Sequence, residues 1–396
     1  MQAPGPVTGA DIPGISSAFR YEVAGELQDE YSFTITTGYC DPTSVPPVVM
    51  DSDMLFEIGS ITKSFTAAAV LKYLETSFTT KVASPTTLDT TIQQAVPYIA
   101  SDRIPGVATI EQLLNLTAGI ADLNLGPIPS LQGYHGAAAN DSSPQRNSDE
   151  VGPQPYSSTK HFWLQNQVYA GLALPKPLGA WNYSSTAYVV LGQYLQFACN
   201  NVNIKAAYRH QIWDPLHFEH TYLGGFEPVP QSELAIGWSQ DGYPSTGASR
   251  VAFFTGYWSA GAIISRIDEV ARFAQAFWNP DITILTPYFY KKMLNFVSFP
   301  NEYETLGISV PGVSWNGYGL GTKRVIVDLG WNKKVQLIGH DGSSGSCAST
   351  AYYLADRKAS FAFTFNRALF RETGHTLCNL QKEITRTLMA YDKPNG

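Results

Sequence analysis

Ser60 and Lys63 stand three residues apart in LFEIGSITKSFTAAAVL, and their types suit covalent catalysis. A serine hydroxyl is a weak nucleophile until a neighbouring base takes its proton. Near the start of a helix, residues i and i+3 share a face, so a lysine at that spacing reaches the hydroxyl. The positive end of the helix dipole and burial both disfavour an ammonium group. Lys63 is therefore expected to have a lowered pKa and to act as a base near neutral pH. The spacing alone is cheap, since Ser157 and Lys160 repeat it in the same chain. Context separates the two pairs: Ser60 lies between the apolar LFEIG and an alanine-rich helix of buried type, whereas Ser157 ends a polar loop. The plain structural alternative for Ser60 is a helix cap beside a surface lysine.

Other chemistries find less support. No GxSxG elbow occurs, which disfavours an α/β-hydrolase. His217 and His220 are three apart, but neither an HExxH pattern nor a cysteine partner accompanies them, so no metal site is expected. Cys40, Cys199, Cys347 and Cys378 form no CxxC pair, which argues against zinc and leaves one or two disulfides open. Gly317, Gly319 and Gly321 lack the GxGxxG spacing and read as a closely packed strand. Glycosylation-type sequons begin at Asn115, Asn140 and Asn182, a pattern that arises easily by chance. No cofactor is implied.

The elements that must position the Ser60 segment follow from residue patterning. Phe19–Val23 and Tyr31–Thr36 read as strands, followed by a polar, proline-bearing loop from Asp41 to Asp53. The segment from Ser60 reads as a helix, with Phe65, Ala68, Ala69, Leu71 and Leu74 making it apolar enough to be buried. Thr109 and Gln112 have capping-box spacing and open a short helix through Leu114. Leu125–Ser158, rich in Gly, Pro, Ser and Asn, reads as a long surface loop. Ser265 is expected to cap a helix in which Val270, Phe273, Ala274 and Phe277 recur at helical spacing. Strand Val335–Ile338 leads into GHDGSSG, followed by a hairpin of Ala351–Leu354 and Ser360–Phe365 turned at Asp356–Lys358. Thr373–Tyr391 reads as a closing helix. Strands at both ends with helices between them predict an α/β lobe of residues 1–75 and 248–396 enclosing a helical lobe of 76–247.

Bulk properties agree. The chain has 396 residues, 44% hydrophobic and 15% charged, ordinary for a folded protein and large enough for two lobes. A net charge of -7 without a basic cluster argues against nucleic acid as a partner. No apolar run reaches the ~20 residues that span a bilayer. MQAPGPVTGADIPG has neither the basic head nor the apolar stretch of a signal peptide. The compartment stays open, with secretion or periplasmic export after loss of a signal peptide preferred to the cytoplasm.

Five segments, in order, resemble the serine β-lactamase and penicillin-binding protein superfamily, on the side of class C β-lactamases, D-alanyl-D-alanine carboxypeptidases and related esterases. GYCDPTSVPPVVMDSDMLF resembles the strand and loop before the nucleophile helix, and LFEIGSITKSFTAAAVL that helix with its SxxK signature. EQLLNLTAGIADL resembles the LLTHTSGL segment, with Asn115 at the usual histidine. GAWNYSSTAYVVLGQYL resembles the tyrosine-containing second motif, and YGLG followed by GHDGSSGSCASTAYYLADRK the third motif and its hairpin. The resemblance implies an α+β, β-lactamase/transpeptidase-like fold: an antiparallel sheet flanked by helices, plus a mostly helical lobe. It implies acylation of Ser60, with Lys63 as base and Tyr183 sharing proton transfer and protonating the leaving group. It implies an oxyanion hole from the N–H groups of Ser60 and Ser343, with His340, Asp341, Gly342, Ser185 and Asn115 around the substrate. That substrate would be a small molecule or peptide.

Two positions depart from the pattern. Ser185 replaces the asparagine of Tyr-x-Asn with a shorter hydrogen-bonding group. Asp341 stands where Thr or Ser usually helps bind a substrate carboxylate, and two carboxylates within ~4–6 Å repel. A neutral or cationic ester or amide is therefore the expected substrate, rather than a β-lactam or a D-Ala-D-Ala peptide. Pocket walls are expected from the loops near 125–160 and 225–260. Acyl transfer to an alcohol or amine is the alternative reaction, and a non-catalytic ligand-binding relative the alternative class.

Overall fold

The computed structural model describes residues 13–22, 30–79, 86–122, 172, 174–199, 203–238, 244, 254, 256–308, 310–330, 332–368 and 372–390. The strands are β1 (Gly14–Glu22), β2 (Glu30–Asp41), β3 (Val48–Val49), β4 (Leu55–Glu57), β5 (Thr221–Leu223), β6 (Ile263–Arg266), β7 (Val297–Ser298), β8 (Val313–Tyr318), β9 (Lys323–Asp328), β10 (Lys334–Ser343), β11 (Ala348–Leu354) and β12 (Ala359–Phe365). Among the described residues, the four longest helices are α1 (Thr62–Thr79), α2 (Ser185–Ala198), α3 (Ile267–Trp278) and α4 (Glu372–Ala390). Chain contacts divide the protein into two units. One comprises Met1–Ile61, Pro230–Thr246 and Ile264–Gly396; the other comprises Thr62–Val229 and Gly247–Ile263. The contact units group three stretches differently from the lobes drawn from the sequence: α1 and residues 248–263 go with the second unit, and Pro230–Thr246 with the first.

The first unit is built on a nine-stranded sheet in the order β3-β2-β1-β12-β11-β10-β9-β8-β7, with antiparallel neighbours throughout. β1 pairs with β12 in the register Ile15↔Phe365 and Phe19↔Phe361, so strands from near the two ends of the chain lie side by side. α3 packs against β1, β11 and β12, and α4 packs against β11. Phe361, Phe363 and Phe365 share one face as their alternation requires, and every residue of β12 is buried. The hairpin turns through Ala355–Arg357 and Lys358, whose φ is 48°.

α3 buries Val270, Phe273, Ala274 and Phe277, but Ser265 does not cap it. Ser265 is committed to β6, opposite Phe56 of β4, and its hydroxyl donates to the Arg266 carbonyl. Arg266 instead occupies the cap position and pairs with Asp268 in the first turn at 3.0 Å, where acidic residues also suit the helix dipole.

In the second unit, α1 buries Phe65, Ala68, Ala69 and Leu71 completely, and α2 packs against it. The short helices Ile92–Ala95 and Ile110–Leu114 each open with a reciprocal capping box, Thr91 with Gln94 and Thr109 with Gln112. Cys40, Cys199, Cys347 and Cys378 are all free thiols. Among the described residues, no helix is long and apolar enough to cross a membrane, and no cluster of His, Cys, Asp or Glu is arranged to hold a metal ion.

Candidate active site

In the first unit, β4 leads into a single 3-10 turn, Gly59–Ile61, which carries Ser60 and runs directly into α1. β4 was hidden in the sequence because three residues are too few to display a period. This turn lies against the end of β10, and two glycines permit the contact. A Cβ on Gly342 would stand 1.9 Å from the Ile58 carbonyl oxygen and 3.0 Å from Ser60 N. A Cβ on Gly59, whose φ is +52°, would stand 2.5 Å from Ser343 N. The backbone nitrogens of Ser60 and Ser343 thus meet at one contact that admits no side chain. Gly342→Ala is expected to cost about 1–3 kcal/mol of stability through overpacking against backbone. Denaturation curves of the variant and the parent protein check this.

Glu57, overlooked in the sequence although it lies inside LFEIG, fixes the loop beyond Ser343. Its carboxylate is buried and accepts from Ser346 Oγ at 2.7 Å, while Cys347 N donates to Ser344 Oγ at 3.0 Å.

His340 is fully buried. Its Nδ1 lies 2.6 Å from the Asp341 carbonyl, which can only accept, so Nδ1 carries the proton. In the neutral ring, Nε2 then accepts from the Tyr318 hydroxyl at 2.9 Å. Both ring nitrogens are engaged inside the unit.

Asp341 corrects an expectation. Strand alternation puts its side chain on the face opposite the Gly342–Ser60 contact. There it accepts from Lys323 Nζ at 3.0 Å and Tyr303 OH at 2.8 Å through Oδ2. Through Oδ1 it accepts from Thr350 Oγ1 at 2.7 Å and Gln381 Nε2 at 2.9 Å. Burial alone would raise its pKa, but the Lys323 ammonium and the donated hydrogen bonds outweigh that and hold the carboxyl below its ordinary range. Burial, reinforced by this carboxylate, pushes Tyr303 and Tyr352 well above the usual phenol value and the Cys378 thiol up to about 12. A carboxylate paired and turned in this way gives no reason to exclude substrates that bear a carboxylate.

In the second unit, Lys63 is fully buried. Its Nζ donates to the Ala260 carbonyl at 3.1 Å and stands 4.9 Å from the Tyr183 ring centroid and 6.0 Å from that of Tyr188. Tyr183 ends the loop before α2, and the LNLTAGIAD segment holds that loop in place. Lys176 N, Gly179 N and Asn182 N donate to the carbonyls of Gly119, Thr117 and Leu116. Tyr188 OH reaches the Leu114 carbonyl at 2.7 Å, and Ser184 Oγ the Ala121 carbonyl at 3.3 Å. Ser184 also caps α2, accepting from Ala187 N. Asp122, a second residue overlooked in the sequence, is buried and accepts from Ser185 N at 3.0 Å. Ser185 is 1% exposed, and its hydroxyl has no hydrogen-bond partner among the described residues. Asn115 accepts from Thr117 Oγ1 at 2.6 Å and ends the helix Ile110–Leu114. Ser60, Gly342 and Ser343 therefore come together in one unit, and Lys63 and Tyr183 in the other. Asn115, Ser185, His340 and Asp341 are engaged in the scaffolds that hold them. Ser157, Lys160, Asn140 and the 125–160 loop lie outside the described residues.

A strand-borne 3-10 turn entering a buried helix, closed over by a glycine-bearing strand of a large antiparallel sheet, defines the β-lactamase/transpeptidase-like fold. The chain belongs to the Beta-lactamase family, whose model matches residues 43–376. No curated protein matches the sequence. Among solved structures, the chain is similar to D-amino acid amidase from Ochrobactrum anthropi SV3 complexed with D-phenylalanine, at 18% identity and a TM-score of 0.69, covering 95% of each chain. It is similar to a class C β-lactamase from Rhodobacter sphaeroides at 14% identity and a TM-score of 0.62, again covering 95% of each chain. The octameric penicillin-binding protein homologue from Pyrococcus abyssi matches at 21% identity and a TM-score of 0.60, covering 93% of this chain and 74% of that one.

Proposed function

We propose that the protein is a serine hydrolase that cleaves an ester or amide bond, lactam and peptide bonds included, through an acyl-enzyme on Ser60. The observation that carries this reading is Lys63: an amine with no exposed surface, donating to the Ala260 carbonyl and set against the Tyr183 ring. A lysine placed there for solubility would reach water, whereas burial disfavours the charged ammonium and so suits the neutral amine that a base requires. In this reading Lys63 takes the Ser60 proton as Oγ attacks the carbonyl carbon. The N–H groups of Ser60 and Ser343 stabilise the resulting oxyanion. Tyr183 passes a proton to the departing oxygen or nitrogen and regains one from Lys63; water then gives a proton to the same pair as it attacks the ester on Ser60, and Ser60 Oγ takes that proton back as the acid is released. Amide substrates are included because the D-amino acid amidase shares the fold; at that identity its substrate does not transfer further.

Hydrolysis and acyl transfer use the same residues, so products must separate them. With p-nitrophenyl butyrate or an amino acid amide in buffer containing a small alcohol or amine, free acid should dominate the products. Predominant capture by a millimolar acceptor would instead identify a transferase.

A further inference from the structure

β10 is held on both edges only as far as Gly339, which pairs with Lys323 of β9. Beyond it, His340, Asp341, Gly342 and Ser343 keep their pairing with β11, at Ala351, Thr350, Ser349 and Ala348, but have no register partner on β9. The segment that bears the Ser343 nitrogen is thus tethered along one edge. A strand end paired along one edge depends on side chains and packing for the rest of its position, and displacement of a donor by a fraction of an ångström weakens its bond to a developing oxyanion.

The Asp341 carboxylate compensates. Lys323, the first residue of β9, reaches past the last main-chain rung and pairs with Oδ2 at 3.0 Å, carrying the β9–β10 seam one step farther. Its ammonium is packed 3.6 Å from the centroid of the Trp315 ring on β8. Tyr303 OH, from the helix Glu302–Thr305, and Tyr352 OH, from β11, donate to the same oxygen at 2.8 and 3.1 Å. Thr350 of β11 and Gln381 of α4 donate to Oδ1, and Gln381 Nε2 also reaches Thr350 Oγ1 at 3.2 Å. Donors from four elements converge on the one side chain between His340 and Gly342. Lys323 is 7% exposed and Asp341 15%, so water competes little for these bonds.

We propose that Asp341 is a positioning residue: its carboxylate clamps the half-tethered end of β10 and so keeps the Ser343 N–H in register with Ser60. It touches no substrate, and its role rests on the reading of Ser60 as the acylated nucleophile.

Two variants test the clamp. Lys323→Met with Asp341→Asn removes the ion pair as a unit and leaves no uncompensated buried charge. Gln381→Met removes one donor at nearly constant volume. Each is assayed for ester turnover and for inhibition by phenylboronic acid. Ser60 Oγ adds to boron as its proton passes to Lys63, and the tetrahedral adduct places an oxygen where the oxyanion forms. The double variant should lose about tenfold in kcat with KM within about twofold, and the boronate inhibition constant should rise by the same factor. Gln381→Met should move the same quantities in the same direction by about threefold. Folded variants with unchanged kcat and unchanged boronate affinity would overturn the proposal. If the double variant does not fold, Gln381→Met decides alone. A wild-type protein that neither binds boronate nor turns over esters would refute the acyl-enzyme reading itself, a separate outcome from the variants' behaviour.

Discussion

Ser60→Ala is expected to reduce turnover of an activated ester by about 10⁴-fold or more while leaving the protein folded, because it removes the atom that forms the covalent intermediate. The size of the effect separates catalysis from structure. Ser60 sits within the turn Gly59–Ile61 and is partly exposed, so losing its hydroxyl leaves no cavity. If the residue served only as a cap, the same change would cost about 1 kcal/mol of stability and leave turnover intact. The Thr62 hydroxyl, two residues on, already has a structural task, accepting from Ile263 N at 3.1 Å. Parallel measurement of kcat/KM and the thermal midpoint decides between the two roles.

Lys63→Met should have the second largest effect, a loss of about 10³-fold, within the range for removing a general base. Methionine matches the lysine stem in length and fills the same buried space between the Tyr183 and Tyr188 rings. The amine is lost with its hydrogen bonds, that to the Ala260 carbonyl among them. Because the replaced group is polar and fully buried, stability should hold or rise. Loss of activity without loss of the fold is the signature of a base. A variant that unfolded, or one that kept its rate, would mean that Lys63 does something else. Partial recovery on addition of small primary amines to Lys63→Gly would strengthen the assignment.

The sequence disclosed most where many residues carried one message. The apolar run of α1, the alternating phenylalanines of β12 and the Thr109–Gln112 box each fix an element through several side chains. The Ser60 turn was legible because an apolar lead-in and a helix of buried type flank it. What stayed hidden depended on single residues whose direction is set by distant partners. Which way Asp341 points follows from the register of β10 between β9 and β11, and its five donors come from positions up to 40 residues away. Strand period alone says that Asp341 and Gly342 face opposite ways, but not which of them meets the nucleophile turn. Glu57 and Asp122 were missed for a related reason: each is one buried carboxylate in an apolar segment, recognisable only once its donor, Ser346 Oγ or Ser185 N, is seen. Ser265 misled because a serine before a helical period also suits the end of a strand.

The most direct test is peptide mapping by mass spectrometry after brief exposure to a fluorophosphonate and, separately, to a slowly deacylating ester. A single adduct on the peptide containing Ser60, missing from Ser60→Ala and slowed in Lys63→Met, is the predicted result. Ester turnover with Ser60 unmodified, or labelling confined to another hydroxyl, would contradict it.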